Sequence, residues 1–495
     1  MTDLPYDIVI GLEVHVQLAT RGKLFSRVST KFGAEPNTQT SPVCIGMPGT
    51  LPVMNREAFR LATIVGLALN CEMPPVTRWD RKHYYYPDLP KAYQISQFDL
   101  PLNGEGWLDV VDPDGGFEPK RVRIRRAHLE EDAGKSSHDE KRRTADSRID
   151  LNRAGTPLLE IVTEPDMRSP AEAAVFLDEL KLLLSYLAVS DCNMQEGSLR
   201  VDANVNLHIR KDDQTIATPI VEIKNMNSFR AVERALAYEA VRQYDAWIDD
   251  KKTIKDAPKQ TRGWDDGAQV TRLQRAKEES SDYRYFPDPD LPPAIVSSAD
   301  LDRLRCNLGE LPQALRDRLQ SQYALPRYDA SVMVNQGRAF VAYFEDVAAE
   351  SGDPRRAANW MQQEILKTLN ETGVLFESFA IPAKELSALI GRQANGELDS
   401  SKAKEVFAYL LEKGGTTEQA VDALGFVAVD KSELTALCEE LVAANPKVIE
   451  EYKKGKTQSV GALVGQAKKR NPNVSPGDVK EICLAIVQRK IAEGA

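Results

Sequence analysis

The sequence predicts an α+β protein in which a large sheet-rich region is followed by an all-α half. Up to about residue 295, short runs alternate apolar and polar residues and are punctuated by Pro, Gly, Asn and Asp, the mark of strands joined by turns. From Ser298 onward the pattern becomes one helix after another. At 495 residues the chain also exceeds what one hydrophobic core usually organises, so several domains are expected. Their predicted spans are residues 1–295, 296–415 and 416–495.

The first strand is IGLEVHVQL, residues 10–18. Ile10, Leu12, Val14, Val16 and Leu18 fall on one face, and Gly11, Glu13, His15 and Gln17 on the other, because successive side chains point to opposite sides of a strand. RVRIRRAHLE, SLRVDANVNLHI and PIVEIKNMN read as further strands. SPAEAAVFLDELKLLLSYLAV and SFRAVERALAYEAVRQY read as helices, the first opened by Ser169 as N-cap with Pro170 at the first helical position. Residues 251–267, KKTIKDAPKQTRGWDDG, are polar and irregular and read as a loop or crossover. In the helical half, Thr416 with Gln419 and Asp430 with Glu433 have capping-box spacing. Gly414 and Gly415 stop the helix AKEVFAYLLEK and mark the boundary between a middle helical domain and a C-terminal one.

Composition removes several classes of function. The six cysteines, Cys44, Cys71, Cys192, Cys306, Cys438 and Cys483, are scattered and form no CxxC pair, which argues against a closed zinc site and a disulfide framework. No apolar run is long enough to span a membrane, and the start MTDLPYDIVI lacks the basic and apolar regions of a signal peptide, so a cytoplasmic protein is expected. With 64 Lys+Arg against 74 Asp+Glu the net charge is −10, so the molecule as a whole does not advertise nucleic-acid binding. GKT at Gly455–Thr457 lacks the opening glycine of a P-loop, NGEGWLD has Asp109 where a dinucleotide fingerprint needs glycine, and no GxSxG elbow occurs. Chemistry on this chain is expected to run on electrostatics and metal ions.

Polar strand faces supply the candidates. SLRVDANVN alternates Arg200, Asp202, Asn204 and Asn206 with apolar residues, and Glu222 shares a face with Lys224. In RVRIRRAHLEEDAGK, extending the parity of Arg121, Arg123 and Arg125 reaches Glu131, with Glu130 its rival; in PLLEIVTEPD, Glu160 and Glu164 share parity. Clustered carboxylates repel one another unless cations lie between them, so a face carrying Glu13, Glu131, Glu160 and Asp202 needs Mg²⁺ or basic groups. His15 either ligates such an ion or hydrogen-bonds a carboxylate. A bland solvated sheet face is the competing reading. In residues 79–101, Arg81, Lys82 and Lys91 stand among Tyr84, Tyr85, Tyr86 and Tyr93, a mixture suited to phosphates and to stacking on a base or ribose, or to a packed tyrosine loop. Residues 280–293, SSDYRYFPDPDLPP, repeat that chemistry. Residues 445–470 carry Lys447, Lys453, Lys454, Lys456, Lys468, Lys469 and Arg470 against Glu450 and Glu451, which points to a polyanion, most naturally RNA, with a solvated helix face as the alternative.

Together IGLEVHVQL, FGAEPNT, RKHYYYPDLPKAYQISQ, LEEDAGKS, LNRAGTPLLEIVTEPDMRSP, EGSLRVDANV, VEIKNMNSFR and DYRYFPDPDLPP resemble the GatB family, one of the subunits of the bacterial aspartyl/glutamyl-tRNA(Asn/Gln) amidotransferase. The resemblance continues through the helical half to ANPKVIEEYKKGK and LVGQ. It implies a cradle-shaped catalytic domain, a helical domain and a small tail that contacts tRNA through Lys453, Lys454, Lys456, Lys468 and Lys469. It also implies a heterotrimer. In it an amidase releases ammonia from glutamine, a small third chain wraps the interface between the other two, and the GatB chain phosphorylates the aminoacyl carboxylate with ATP and Mg²⁺. The substrates implied are Glu-tRNA(Gln) and Asp-tRNA(Asn). On this reading Glu13, His15, Glu131 and Glu160 hold or orient Mg²⁺, Asp202 assists at metal or nucleotide, and Lys82 and Arg81 meet phosphate. The resemblance implies that some relatives bind zinc through paired cysteines near SPVCIGMPG, but Ser41 stands where the first would be, so no structural zinc is expected. A non-catalytic tRNA-binding scaffold is the alternative function; clustered negative charge argues against it.

Overall fold

The alternation along the first strand organises the structure. A computed structural model describes residues 5–138, 147–211, 214–276, 282–426, 431–453, 457–471 and 473–493. The chain divides into two compact units, residues 1–316 and 317–495.

In the first unit the elements run β1 (Tyr6–Gln17), α1 (Arg56–Ala68), β2 (Val76–Thr77), β3 (Asp80–His83), β4 (Tyr93–Ser96), β5 (Gly106–Val110), β6 (Lys120–Glu131), β7 (Lys135–His138), β8 (Ser147–Asp150), β9 (Pro157–Thr163) and α2 (Pro170–Tyr186). They continue with β10 (Leu199–Lys211), β11 (Gln214–Ala217), β12 (Val221–Lys224), α3 (Phe229–Asp250), β13 (Gln260–Asp265), β14 (Val270–Ala276), β15 (Phe286–Pro287), β16 (Ala294–Ile295) and α4 (Ser298–Asn307). Among the described residues the principal sheet has nine strands in the order β14-β13-β12-β10-β1-β9-β6-β5, with β11 added to β10. The first strand of the chain is thus central, flanked by β10 and β9, both antiparallel to it.

One face of the sheet is apolar. Ile10, Leu12, Val14 and Val16 of β1 are fully buried and share a core with Phe176, Leu177 and Leu180 of α2 and Val232, Ala235 and Leu236 of α3. Each large aliphatic side chain so buried contributes about 1.5–3 kcal/mol, which fixes the register because a one-residue slip would carry the whole set to the other face. Ser169 caps α2 through Glu172 N–H with Pro170 at the first turn, as expected, and Ser228 caps α3 through Ala231 N–H. The opposite face of β1, β9, β6 and β10 carries the polar residues. A second sheet, β15-β3-β4, packs on the end of β6: Gln94 donates to the Glu131 carbonyl at 2.7 Å.

Residues 251–267 divide between a crossover and a strand. The crossover is residues 251–259, but residues 260–265 form β13, parallel to β12 and antiparallel to β14. The expectation of a loop throughout fails because α3 returns the chain alongside β12, where Thr261 donates to Glu222 at 3.0 Å and buried Trp264 joins the core.

The second unit is helical: α5 (Pro312–Tyr323) leads into it, followed by α6 (Arg327–Asn335), α7 (Arg338–Ser351), α8 (Pro354–Trp360), a π-turn at Met361–Ile365, α9 (Leu366–Thr372), α10 (Ala383–Ala394), α11 (Ser400–Lys413) and α12 (Thr417–Ala423). The capping box of Thr416 with Gln419 is present, and Gly414 ends α11 at φ +69°. α12 is tied to α10 by Thr417 N–H to Glu385 at 2.6 Å. The chain ends with α13 (Lys431–Ala444), α14 (Pro446–Lys453), α15 (Gly461–Arg470) and α16 (Pro476–Glu493), which share a core of their own around Leu434, Leu441, Val460, Leu463 and Val487. Asp430, read as a capping residue, lies outside the described residues.

Candidate active site

Sheet register builds the site. His15 on β1 and His128 on β6 both stand opposite Glu160 on the strand between them, so three side chains lie in one row. Glu160 Oε2 is 3.5 Å from His15 Nε2 and 3.6 Å from His128 Nε2. Glu130 Oε2 is 3.7 Å from His128 Nε2 and accepts from Ser96 Oγ at 3.2 Å. His15, Glu130 and Glu160 each bring one ligand atom within 4.8 Å of the others.

Glu130 therefore occupies the place that strict alternation assigned to Glu131, which is a correction. The register of β6 shifts between Ile124 and Arg126. Before the bulge Val122 and Ile124 face the core; after it Ala127 and Leu129 do. One extra residue exchanges the faces, so the Arg121, Arg123, Arg125 face continues through Arg126 and His128 to Glu130. Glu131 points the other way, paired with Lys91 and accepting from Ile95 N–H at 3.0 Å. The exchange was visible in RVRIRRAHLEE, where the apolar positions change from even to odd.

A second group adjoins the first along β1. Glu13 stands opposite Asp202 on β10, and Asn204 donates to Glu13 Oε1 at 2.8 Å. Glu222 on β12 completes a set of three carboxylates within 4.8 Å, bridged by Lys224, which pairs with Asp202 and lies 3.3 Å from Glu222 Oε1. Glu222 and Lys224 had been read as one strand face, but not as neighbours of Glu13. Glu164 does not join either group: β9 ends at Thr163, and Glu164 pairs with Arg125 at 2.8 Å.

The charges on this face are compensated through the register. Burial opposes ionisation of Glu160, yet His128, His15 and Lys82 outweigh it and hold the carboxyl well below its usual range. Burial and the Glu160 charge oppose Glu130, and Lys82 and His128 bring it below its ordinary value too. Burial likewise opposes the charge on His15, but its carboxylate neighbours, Glu160 foremost, raise its pKa. Desolvation works against the Lys82 ammonium, and Glu130, Tyr285 and Glu160 beside it keep it protonated. Asp132, at the edge of the face, takes a two-armed contact from Arg200 at 2.9 and 3.0 Å and a hydrogen bond from Gln17 at 2.8 Å.

Lys82 also lies under an aromatic cleft of about 560 Å³ lined by His83, Tyr84, Tyr85, Tyr86, Tyr283 and Arg284. Its ammonium is 5.1 Å from the Tyr283 ring and 5.9 Å from that of Tyr84. The two tyrosine-rich segments that looked alike in the sequence are thus joined, through β15 pairing with β3. Arg81 is not brought to the cluster: adjacent to Lys82 on β3 it points oppositely, donating to Asp288 at 2.7 Å and Asp290 at 2.9 Å. In the tail, Lys453 ends α14 and Lys468 and Lys469 lie in the last turn of α15, with Lys468 and Lys469 exposed; Lys454 and Lys456 lie outside the described residues.

The donor set suits a hard cation. The two carboxylates supply hard oxygen ligands and leave positions for water and phosphate oxygens, as Mg²⁺ sites do, with the His15 nitrogen beside them. Beside the second group the Asn204 side-chain oxygen is buried with no hydrogen-bond partner among the described residues, an oxygen acceptor left over for a cation or its water.

Residues 8–302 match the family model described as the GatB/GatE catalytic domain, and residues 342–486 match the GatB domain. The chain is 56% identical over 485 residues to the GatB subunit of the aspartyl/glutamyl-tRNA(Asn/Gln) amidotransferase of Rhodopirellula baltica, covering 98% of this chain and 97% of that one. It is 46% identical to the protein of that name from a Synechococcus strain, with 94% of each chain covered, and 44% identical to that of Caldicellulosiruptor bescii, with 94% and 95% covered. With matches of this extent running through the strands that carry Glu13, His15, Glu130 and Glu160 and on into the tail, the chain belongs to the GatB family of aspartyl/glutamyl-tRNA(Asn/Gln) amidotransferase subunits.

Proposed function

We propose that this chain is the part of a glutamine-hydrolysing ligase that activates and amidates the side-chain carboxylate of Glu-tRNA(Gln) or Asp-tRNA(Asn). The carrying observation is the row His128–Glu160–His15 with Glu130 and Lys82, a buried charged floor whose signs are balanced in place.

A carboxylate resists ammonia because its leaving group would be oxide. Attack of the substrate carboxylate oxygen on the γ-phosphorus of ATP releases ADP and leaves an acyl phosphate. Ammonia then adds to the acyl carbon, phosphate departs with the C–O bonding pair, and the nitrogen loses a proton to give the amide. Such phosphoryl transfer needs positioning and charge neutralisation more than a protein nucleophile. Glu130, Glu160 and His15 would hold Mg²⁺, with Glu13, Asp202 and Glu222 able to take a second ion. Mg²⁺ when bound supplies charge neutralisation at the phosphate oxygens. Lys82 would meet the transferred phosphate, and the cleft lined by Tyr84 and Tyr283 would take a nucleoside. His128, fixed between Glu130 and Glu160, orients both. The partners are an amidase that releases ammonia and a small third chain, the three forming a heterotrimer that works in the cytoplasm.

In the reconstituted complex, Glu160→Gln and Glu130→Gln should each lower ATP-dependent amidation by at least about 10²-fold while filter-binding affinity for tRNA stays near wild type. Glu131→Gln should retain tRNA binding but lose activity less steeply. Wild-type amidation by the first two variants refutes the assignment.

A further inference from the structure

We propose that Lys23 and Cys44 are a site of oxidative cross-linking, in which a single oxygen atom joins the lysine nitrogen to the cysteine sulfur. The site lies outside the carboxylate groups. Lys23 is 1% exposed and Cys44 5% exposed, and their Nζ and Sγ atoms are 3.6 Å apart. A fully buried lysine is rare unless paired with a carboxylate, but here the ammonium meets two carbonyls, Gln39 at 2.6 Å and Leu151 at 3.4 Å, and the thiol. Ser41 Oγ and Ser26 Oγ lie 3.3 and 3.6 Å from the same sulfur.

Each group in that setting gives up a proton more readily than its exposed counterpart. Burial lowers the Lys23 pKa below its usual range, which raises the share of free amine. Burial works against the Cys44 thiolate, but hydrogen bonds from Ser41 and Ser26 and the charge of Lys23 bring its pKa below the ordinary thiol value. Cys71 is a control within the same unit: also buried, its pKa is pushed up to about 12 by desolvation alone.

The reaction balances with dioxygen as oxidant. The S–H bond and one N–H bond break, and S–O and O–N bonds form. Sulfur and nitrogen each give up two electrons; one oxygen atom becomes the bridge, and the other leaves as water with the two hydrogens. The product is a reversible linkage, since thiol reductants return it to amine and thiol. It would staple the segment just after β1 to the loop before α1, where Gly46 lies against Lys91, the partner of Glu131.

The test is peptide mapping of the full-length chain after incubation in air-saturated and in anaerobic buffer. We expect a Lys23–Cys44 peptide pair in the aerated sample, heavier than the sum of its parts by one oxygen less two hydrogens. It should be absent anaerobically, lost on thiol reduction, and absent in Cys44→Ser, whose folding is checked by circular dichroism. Cys71 should remain a free thiol. The proposal is overturned if Cys44 and Lys23 are recovered unlinked after the exposed Cys306 has oxidised, or if Cys44 ends as sulfinic acid, or if the two are joined by a direct N–S bond. Because the readout is made on the wild-type chain, it does not depend on the variant folding.

Discussion

At the scale of single residues, the polar face shows how charge is tolerated in a buried setting: its carboxylates are matched by cations from neighbouring strands. Asp132 gives this a measurable form. Burial opposes its charge, but Arg200 and Arg153 hold its pKa below the ordinary value. Its folded state therefore takes up a proton less readily than the unfolded chain does, and the stabilisation is complete above the unfolded value of about 3.9 and lost as pH falls through the folded one. Asp132→Asn should cost about 3 kcal/mol at neutral pH, by stranding the Arg200 charge. The gap to wild type should shrink in urea melts carried into acid. At this scale Glu13, His15, Glu160 and Lys82 could be singled out from alternation and residue type alone. Glu222 was placed on a polar strand face with Lys224 but not beside Glu13, and His128 was not singled out at all. Each joins the cluster through partners on another strand far along the chain, and strand neighbours are not written in local pattern.

At the scale of elements, helices and their ends were the most legible features, since a cap such as Ser169 or Thr416 acts within one turn of itself. β13 was missed for the opposite reason, since it is decided by what the strand lies against, whereas the β6 bulge left a trace in the shift of apolar positions from even to odd. Close packing at one helix can be tested by substitution. On α1 a methyl group at Gly66 would fall 1.9 Å from Asn103 Oδ1, and Asn103 is pinned between α1 and β6 by bonds to the Ala62 carbonyl at 3.2 Å and the Ala127 carbonyl at 2.9 Å. Gly66→Ala should destabilise the first unit by about 1–3 kcal/mol although alanine is the better helix former. Gly391 on α10 has open space around it, so Gly391→Ala should stabilise by about 0.5–1 kcal/mol. Thermal melts of the two variants should move in opposite directions.

At the scale of the whole molecule, the change from strands to helices near Ser298 was legible, although the first unit runs on to residue 316, whereas the order of strands was not. The four terminal helices bury Leu434, Leu441, Leu463 and Val487 among themselves, so removal of residues 431–495 should leave the preceding helices folded. Removing Lys453, Lys468 and Lys469 with them should weaken tRNA binding and flatten its dependence on salt, by close to one unit of log–log slope for each phosphate no longer neutralised. Titrations of the reconstituted complex at several ionic strengths check this, and an unchanged slope would show that the tail does not touch RNA. The central place of β1 has a consequence in time. The ribosome releases this strand well before its two neighbours, which are completed only at Thr163 and Lys211. Both hydrogen-bonding edges wait unpaired until β9 is made and one of them until β10 is, the kind of exposure that recruits chaperones. The strand that carries Glu13 and His15 waits for both of its neighbours, so a chain halted before β10 already holds His15, Glu130 and Glu160 but lacks Asp202 and leaves one edge of β1 open.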